Sequence, residues 1–223
     1  MGSGMGLGSV MGEIAPPALG IALSPFSIIP AIFMLFTSRA RAAGGAFLAG
    51  WVVGIAVAAG AFAVLFSIVE LLGEPPVWVS WTRIGLGALL VLFGAWHWYD
   101  RKGKAVPGWM RSLEATTPAR ALWLGLGLSA ANPKILLLAA AGGLGIGSAG
   151  LSAAGVVGAV AVFTGLAACT VALPLVLHLL LGERIVVPLG RAKDWLEVHS
   201  AAFMALVITV LGLLLVVKGV GGL

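Results

Sequence analysis

The chain has 223 residues, of which 61% are hydrophobic and 9% charged, with a mean hydropathy of +1.12. A soluble domain carries about 25% charged residues, so this composition excludes one and leaves nothing from which to build one beside a membrane part. The net charge of +5 lies mostly in short loops between apolar runs, where orientation signals belong, and does not point to nucleic acid.

A membrane span needs about 20 apolar residues. The first four residues, Met1-Gly2-Ser3-Gly4, carry no basic stretch and read as no cleavable signal peptide. Six runs then qualify in chain order, at 11–36, 44–70, 78–98, 119–147, 151–181 and 195–217. The second and third are parted by Gly73-Glu74-Pro75-Pro76, a strong breaker. The fourth and fifth are parted only by Gly147-Ser148-Ala149-Gly150. Several runs exceed one bilayer thickness, so tilt or kinks are expected. Cys169, the single cysteine, lies in the fifth run and permits no intramolecular disulfide; it reads as a small apolar side chain.

Ten basic residues fall in alternate loops: Arg39 and Arg41, then Arg101, Lys102, Lys104, Arg111 and Arg120, then Arg184, Arg191 and Lys193. The other side carries only Arg83 and Lys218. The positive-inside rule places the three basic loops in the cytoplasm and both termini outside the plasma membrane. Within the segment 100–118, residues 108–114 read either as an amphipathic turn on the cytoplasmic surface or as a plain linker.

The chain reads as duplicated. A shift of 108 places Pro25 on Pro133, Ala22 on Ala130, Gly50 on Gly158 and Arg83 on Arg191. Each half repeats one plan: a broken helix, a glycine-rich helix, then a helix entered through an arginine. Three spans per half forces opposite orientations, the inverted-repeat architecture of secondary transporters. The predicted fold is therefore an all-α polytopic membrane protein with six transmembrane helices in two inverted three-helix repeats. Residues 1–99 and 119–223 are the repeats, and 100–118 is the linker. Helices 1 and 4 are expected to break near the midplane.

Those breaks carry the site. Proline removes a backbone donor and clashes with the preceding turn. Lipid cannot satisfy the carbonyls so released, hence each break must face protein or water. The first holds Ser24, Pro25, Ser27 and Pro30; the second holds Ser129, Asn132, Pro133 and Lys134. A lysine at the bilayer centre costs roughly 2.5–3.5 kcal/mol on insertion scales. Two half-helix N-termini aimed at one point, with the lysine added, favour an anionic group such as carboxylate, sulfate or phosphate. The bland alternative is a pair of kinks with a lysine that snorkels or pairs internally. His178, behind Pro174, is the candidate for proton coupling because histidine titrates near neutral pH. Glu13, Glu70 and His97 read as interfacial. Gly50-Trp51-Val52-Val53-Gly54 is a GxxxG pattern that fits internal packing more often than a homo-oligomer face. No metal-ligand cluster, nucleotide loop or paired intramembrane carboxylate is visible, so neither an enzyme nor a cofactor is expected.

Ala22-Leu23-Ser24-Pro25, Ser38-Arg39-Ala40-Arg41, Ala46-Phe47-Leu48-Ala49-Gly50-Trp51, Pro107-Gly108-Trp109-Met110 and Ser129-Ala130-Ala131-Asn132-Pro133-Lys134 together resemble the GAP family across nearly the whole chain. These are the actinobacterial glycolipid- and sulfolipid-addressing proteins of the lysine-exporter superfamily. The resemblance implies an inner-membrane protein that moves cell-envelope lipids outward. It implies that Pro25 and the triplet Asn132-Pro133-Lys134 are functional breaks, with Arg39 and Arg41 a cytoplasmic signature. The expected function is export of an envelope glycolipid or other anionic amphiphile. The alternatives are export of a small solute, an amino acid or ion, and a scaffold for envelope-lipid synthesis or export machinery. Membrane lipids and the anionic substrate are the expected partners.

Overall fold

A computed structural model of the chain describes residues 7–71, 76–99 and 116–221. Within them every regular element is helical: α1 (Leu7–Ala22), α2 (Pro25–Met34), α3 (Ala40–Leu71), α4 (Pro76–Tyr99), α5 (Pro118–Ala130), α6 (Pro133–Gly147), α7 (Ala153–Leu181) and α8 (Val186–Val220), with a 3-10 turn at Gly182–Ile185. The first apolar run becomes α1 and α2, and the fourth becomes α5 and α6. The predicted prolines open the second helix of each pair, where a missing N–H costs nothing. Between α6 and α7 the chain turns at Gly150, whose φ of +62° suits a residue without Cβ. Ser152 then caps α7 by accepting from the Gly155 N–H at 3.3 Å.

By length and composition, α3 (over Ala40–Ile68) and the stretch Ala153–Leu196 can each cross a membrane. The two bent pairs, α1 with α2 and α5 with α6, also pass when each is taken as one span, which gives up to four among the described residues. The apolar stretches of α4 and α8 are shorter, at Ser80–Trp96 and Ile208–Val220. The sixth run starts earlier than expected. Its helix begins at Val186, so Arg191 is helical and only Arg184 lies in the connecting turn. Pro188 falls in the first turn of α8, where proline is tolerated, so nothing stops the helix before Trp195. Arg83 likewise lies inside α4 and not in a loop.

Helix α3 packs on α5, α6 and α7, α4 packs on α8, and α1 packs on α6 and α7. Glycine makes the closest of these contacts possible. A side chain on Gly50 would strike the backbone of Leu122, and one on Gly125 would strike the backbone of Phe47. The Gly50–Gly54 pattern thus faces α5, as its internal-packing reading expects. Gly87 and Gly212 bring α4 and α8 together in the same way. Around this frame Phe47, Trp51, Ile55, Leu138 and Phe163 are fully buried. The outward faces are apolar as well, with Leu92 67% and Val157 70% exposed, the pattern of helices that meet hydrocarbon on one side and protein on the other.

Exposed Arg39, Arg41, Arg120, Arg184 and Arg191 gather at one end of the bundle. The contacts of Gly44 with Leu35 and Leu175, and of Gly190 with Phe36, place those termini together. The amphipathic segment expected over 108–114 and the side chains of Glu70 and His97 lie outside the described residues.

Candidate functional site

The first break bends the chain by 53° between α1 and α2. Ser24 is extended, with φ −71° and ψ 119°, as the residue before a proline prefers. Pro25 cannot donate to the Ile21 carbonyl one turn back. The Ser24 N–H reaches that carbonyl at 3.1 Å, and the Ser27 hydroxyl reaches it at 3.4 Å. Ser27 also donates to the Ser24 carbonyl at 2.5 Å. The Ala22 carbonyl is met from another helix, by the hydroxyl of Thr170 on α7. Each of these carbonyls therefore finds a donor inside the protein, as burial in lipid demands.

At the second break α5 and α6 meet at 62°. Here the cap is local. Asn132 is the N-cap of α6, and its side-chain oxygen accepts from the Lys134 N–H at 3.1 Å. The Ala131 N–H closes α5 onto the Gly127 carbonyl at 2.9 Å. Ser129 is fully buried, and its hydroxyl bonds back to the carbonyls of Gly125 and Leu126 at 2.8 and 3.1 Å.

The two breaks meet. The Lys134 ammonium, only 4% exposed, donates to the Ser24 hydroxyl at 3.0 Å across 110 residues of sequence. The starts of α2 and α6 each carry the positive end of a helix dipole, and the ammonium adds a full charge beside them. That concentration of positive potential in a dry interior is complementary to an anionic oxygen.

The remaining expected residues divide around this pair. Pro30 is buried inside α2, beyond the break, and Pro133 is exposed on the first turn of α6. The backbone of Pro25 opens α2 beside Ser24. His178 is buried in the last turn of α7, and its Nδ1 has no hydrogen-bond partner among the described residues. It lies eight residues past Thr170, about 12 Å along the helix, and so away from the two breaks.

A second polar cluster escaped the sequence. Arg83 of α4 grips Glu13 of α1 with both carboxylate oxygens, at 3.1 and 3.0 Å. Lys218 of α8 donates to the Gly12 carbonyl at 3.3 Å. Pro16 explains that contact, since it stands four residues after Gly12 and cannot supply the usual helical donor. These three charged side chains line a cavity of about 120 Å³ at the end of the bundle where α1 begins and α8 ends. Only the adjacent Pro16-Pro17 hinted at irregularity there; the pairing across 70 residues left no trace in spacing.

A bundle of helices apolar on every side, with two helices broken inside it, defines a membrane protein. The chain belongs to the family described as Sap, sulfolipid-1-addressing protein, which it matches over residues 14–221. No curated protein and no solved structure matches it.

Proposed function

We propose that this protein is an exporter that carries an anionic envelope lipid across the plasma membrane through the two facing helix breaks. The observation that carries the reading is the buried bond from Lys134 to Ser24, which joins two half-helix N-termini and a full positive charge in one place. A lysine kept there against a cost of about 2.5–3.5 kcal/mol fits a substrate-facing role. The family description names a sulfolipid, and a sulfate ester is an anion of the kind such a site attracts.

Six spans in two inverted repeats fit the packing. Exchanging the halves turns the pair α1–α2 against α7 into the pair α5–α6 against α3, and turns α4 against α8 into itself. The gathering of basic side chains at one end supports a cytoplasmic position for that end and an outside position for both termini. A small-anion exporter is the second reading. It is favoured by the burial of both Lys134 and its partner Ser24, which leaves little room for a bulky headgroup.

The test is leaflet transfer in reconstituted vesicles. A fluorescent sulfated glycolipid, added to one leaflet, is followed with wild-type protein and with Lys134→Ala. Wild type speeds its transfer to the other leaflet, and the variant inserts equally but does not. Equal transfer by the variant overturns the reading. Uptake of radioactive sulfate without lipid transfer selects the small-anion alternative.

A further inference from the structure

The cavity bounded by Glu13, Arg83 and Lys218 stands apart from the Lys134 pair. On α1, Glu13 and Gly20 share one helical stripe, spaced by seven residues, and Ser24 follows just beyond the helix end. On α6, Lys134, Leu138, Ala141 and Gly145 share another stripe in the opposite direction. Gly145 lies against Glu13, Leu138 against Gly20, and Lys134 against Ser24. Between the two polar places, Leu138 and Leu211 close over Gly20. The cavity and the buried pair are thus neighbours along one seam, separated by an apolar seal.

The chemistry of the cavity is mixed in a definite way. Its charges are −1 from Glu13, +1 from Arg83 and +1 from Lys218, a sum of +1. Among the described residues Arg83 is ion-paired with Glu13, whereas Lys218 is exposed and has only a carbonyl as partner. Leu144, Leu211 and Leu214 supply the rest of the wall, and Leu214 is 47% exposed on the outer surface of the bundle. One unmatched positive charge at a helix end, above an apolar surface that continues to the lipid-facing side, is complementary to a headgroup with one negative charge and a hydrocarbon tail.

We infer that this cavity is a binding site for a singly charged anionic lipid, its headgroup held by Lys218 and Arg83 and its chain laid along Leu211 and Leu214. Glu13 holds Arg83 in place while the site is empty and competes with the headgroup for it. The assignment rests on the membrane placement of the chain and not on transport through Lys134, so the two fail separately.

The test counts lipids retained by the detergent-purified full-length protein in native mass spectrometry. The probes are phosphatidylglycerol and phosphatidylcholine of matched chains. Wild type retains phosphatidylglycerol in preference. Lys218→Gln lowers that retention about tenfold, the loss expected for one charge-assisted hydrogen bond. Glu13→Gln raises it, because Arg83 is released toward the lipid; a purely structural ion pair predicts the opposite or no change. Equal retention of the two lipids by wild type, or unchanged retention in both Lys218→Gln and Glu13→Gln, overturns the assignment. Displacement of the phosphatidylglycerol by millimolar inorganic phosphate shows a bare-anion site and overturns the lipid occupant. Lys218 is exposed, so its variant folds even where a change at the Arg83–Glu13 pair does not.

Discussion

The two helix breaks share a proline and a bend of similar size, yet they are held in different ways. The second is anchored. Its cap is its own Asn132, and the helix before it presses Gly125 directly on the α3 backbone. The first is completed by side chains from elsewhere: Thr170 of α7 closes the Ala22 carbonyl, and Lys134 of α6 bonds Ser24. Opposite the first break Gly20 meets only the ends of Leu138 and Leu211, which can turn aside, whereas Gly125 meets main chain. The difference assigns the second break as frame and the first as the part that can rearrange.

The largest expected effect comes from the bond that joins them. Lys134→Met should stop lipid transfer in the vesicle assay and raise the unfolding temperature in detergent, because it removes a buried charge worth about 2.5–3.5 kcal/mol against insertion. A fall in stability together with unchanged transfer would make the lysine a structural strut. Next, Gly125→Ala should destabilise the anchored side by about 1–3 kcal/mol, as overpacking does. Its neighbour Gly127 faces open space, so Gly127→Ala should hold or gain stability, with the gain up to about 1 kcal/mol from helix propensity. Similar melting curves for the two variants would refute the backbone contact. Asn132→Ala should cost about 1 kcal/mol through the lost cap, with Asn132→Asp recovering most of it. The smallest effect is expected at Thr170→Val, about 0.6 kcal/mol, the mean for a side-chain hydrogen bond in a membrane protein. Hydrogen exchange should nevertheless rise around 22–25 and stay unchanged around 130–134. An equal rise at both places would erase the distinction between frame and moving part.

Local signals were legible in the chain and remote pairings were not. Apolar length and proline located the two bent helices within a few residues, since both act over a single turn. The convergence of the breaks was expected from the proline-broken plan shared by the two halves, and the bond from Lys134 to Ser24 brings them together. The early start of α8 was hidden by Arg191 and Lys193, whose charges suit a loop as well as an exposed helix face. Thr170 was hidden for the opposite reason: a threonine in an apolar run looks like any β-branched residue until its carbonyl partner, 148 residues away, is known. Glu13 read as an interfacial charge and Arg83 as an orientation signal on the sparsely charged side, and only folding makes them one ion pair.

The glycine contacts have a mechanical consequence. Where main chain touches main chain, as between α3 and α5 and between α4 and α8, no side chain stands between to change rotamer or absorb a shift. Such pairs translate together as rails. Helix α6 belongs with them, since its Gly143 and Gly147 meet the α3 main chain. Helix α1, which meets α6 through leucine ends at Gly20, is left as the carriage, so the export proposed above would reduce to a short slide of α1 past fixed rails and not to a rocking of whole halves.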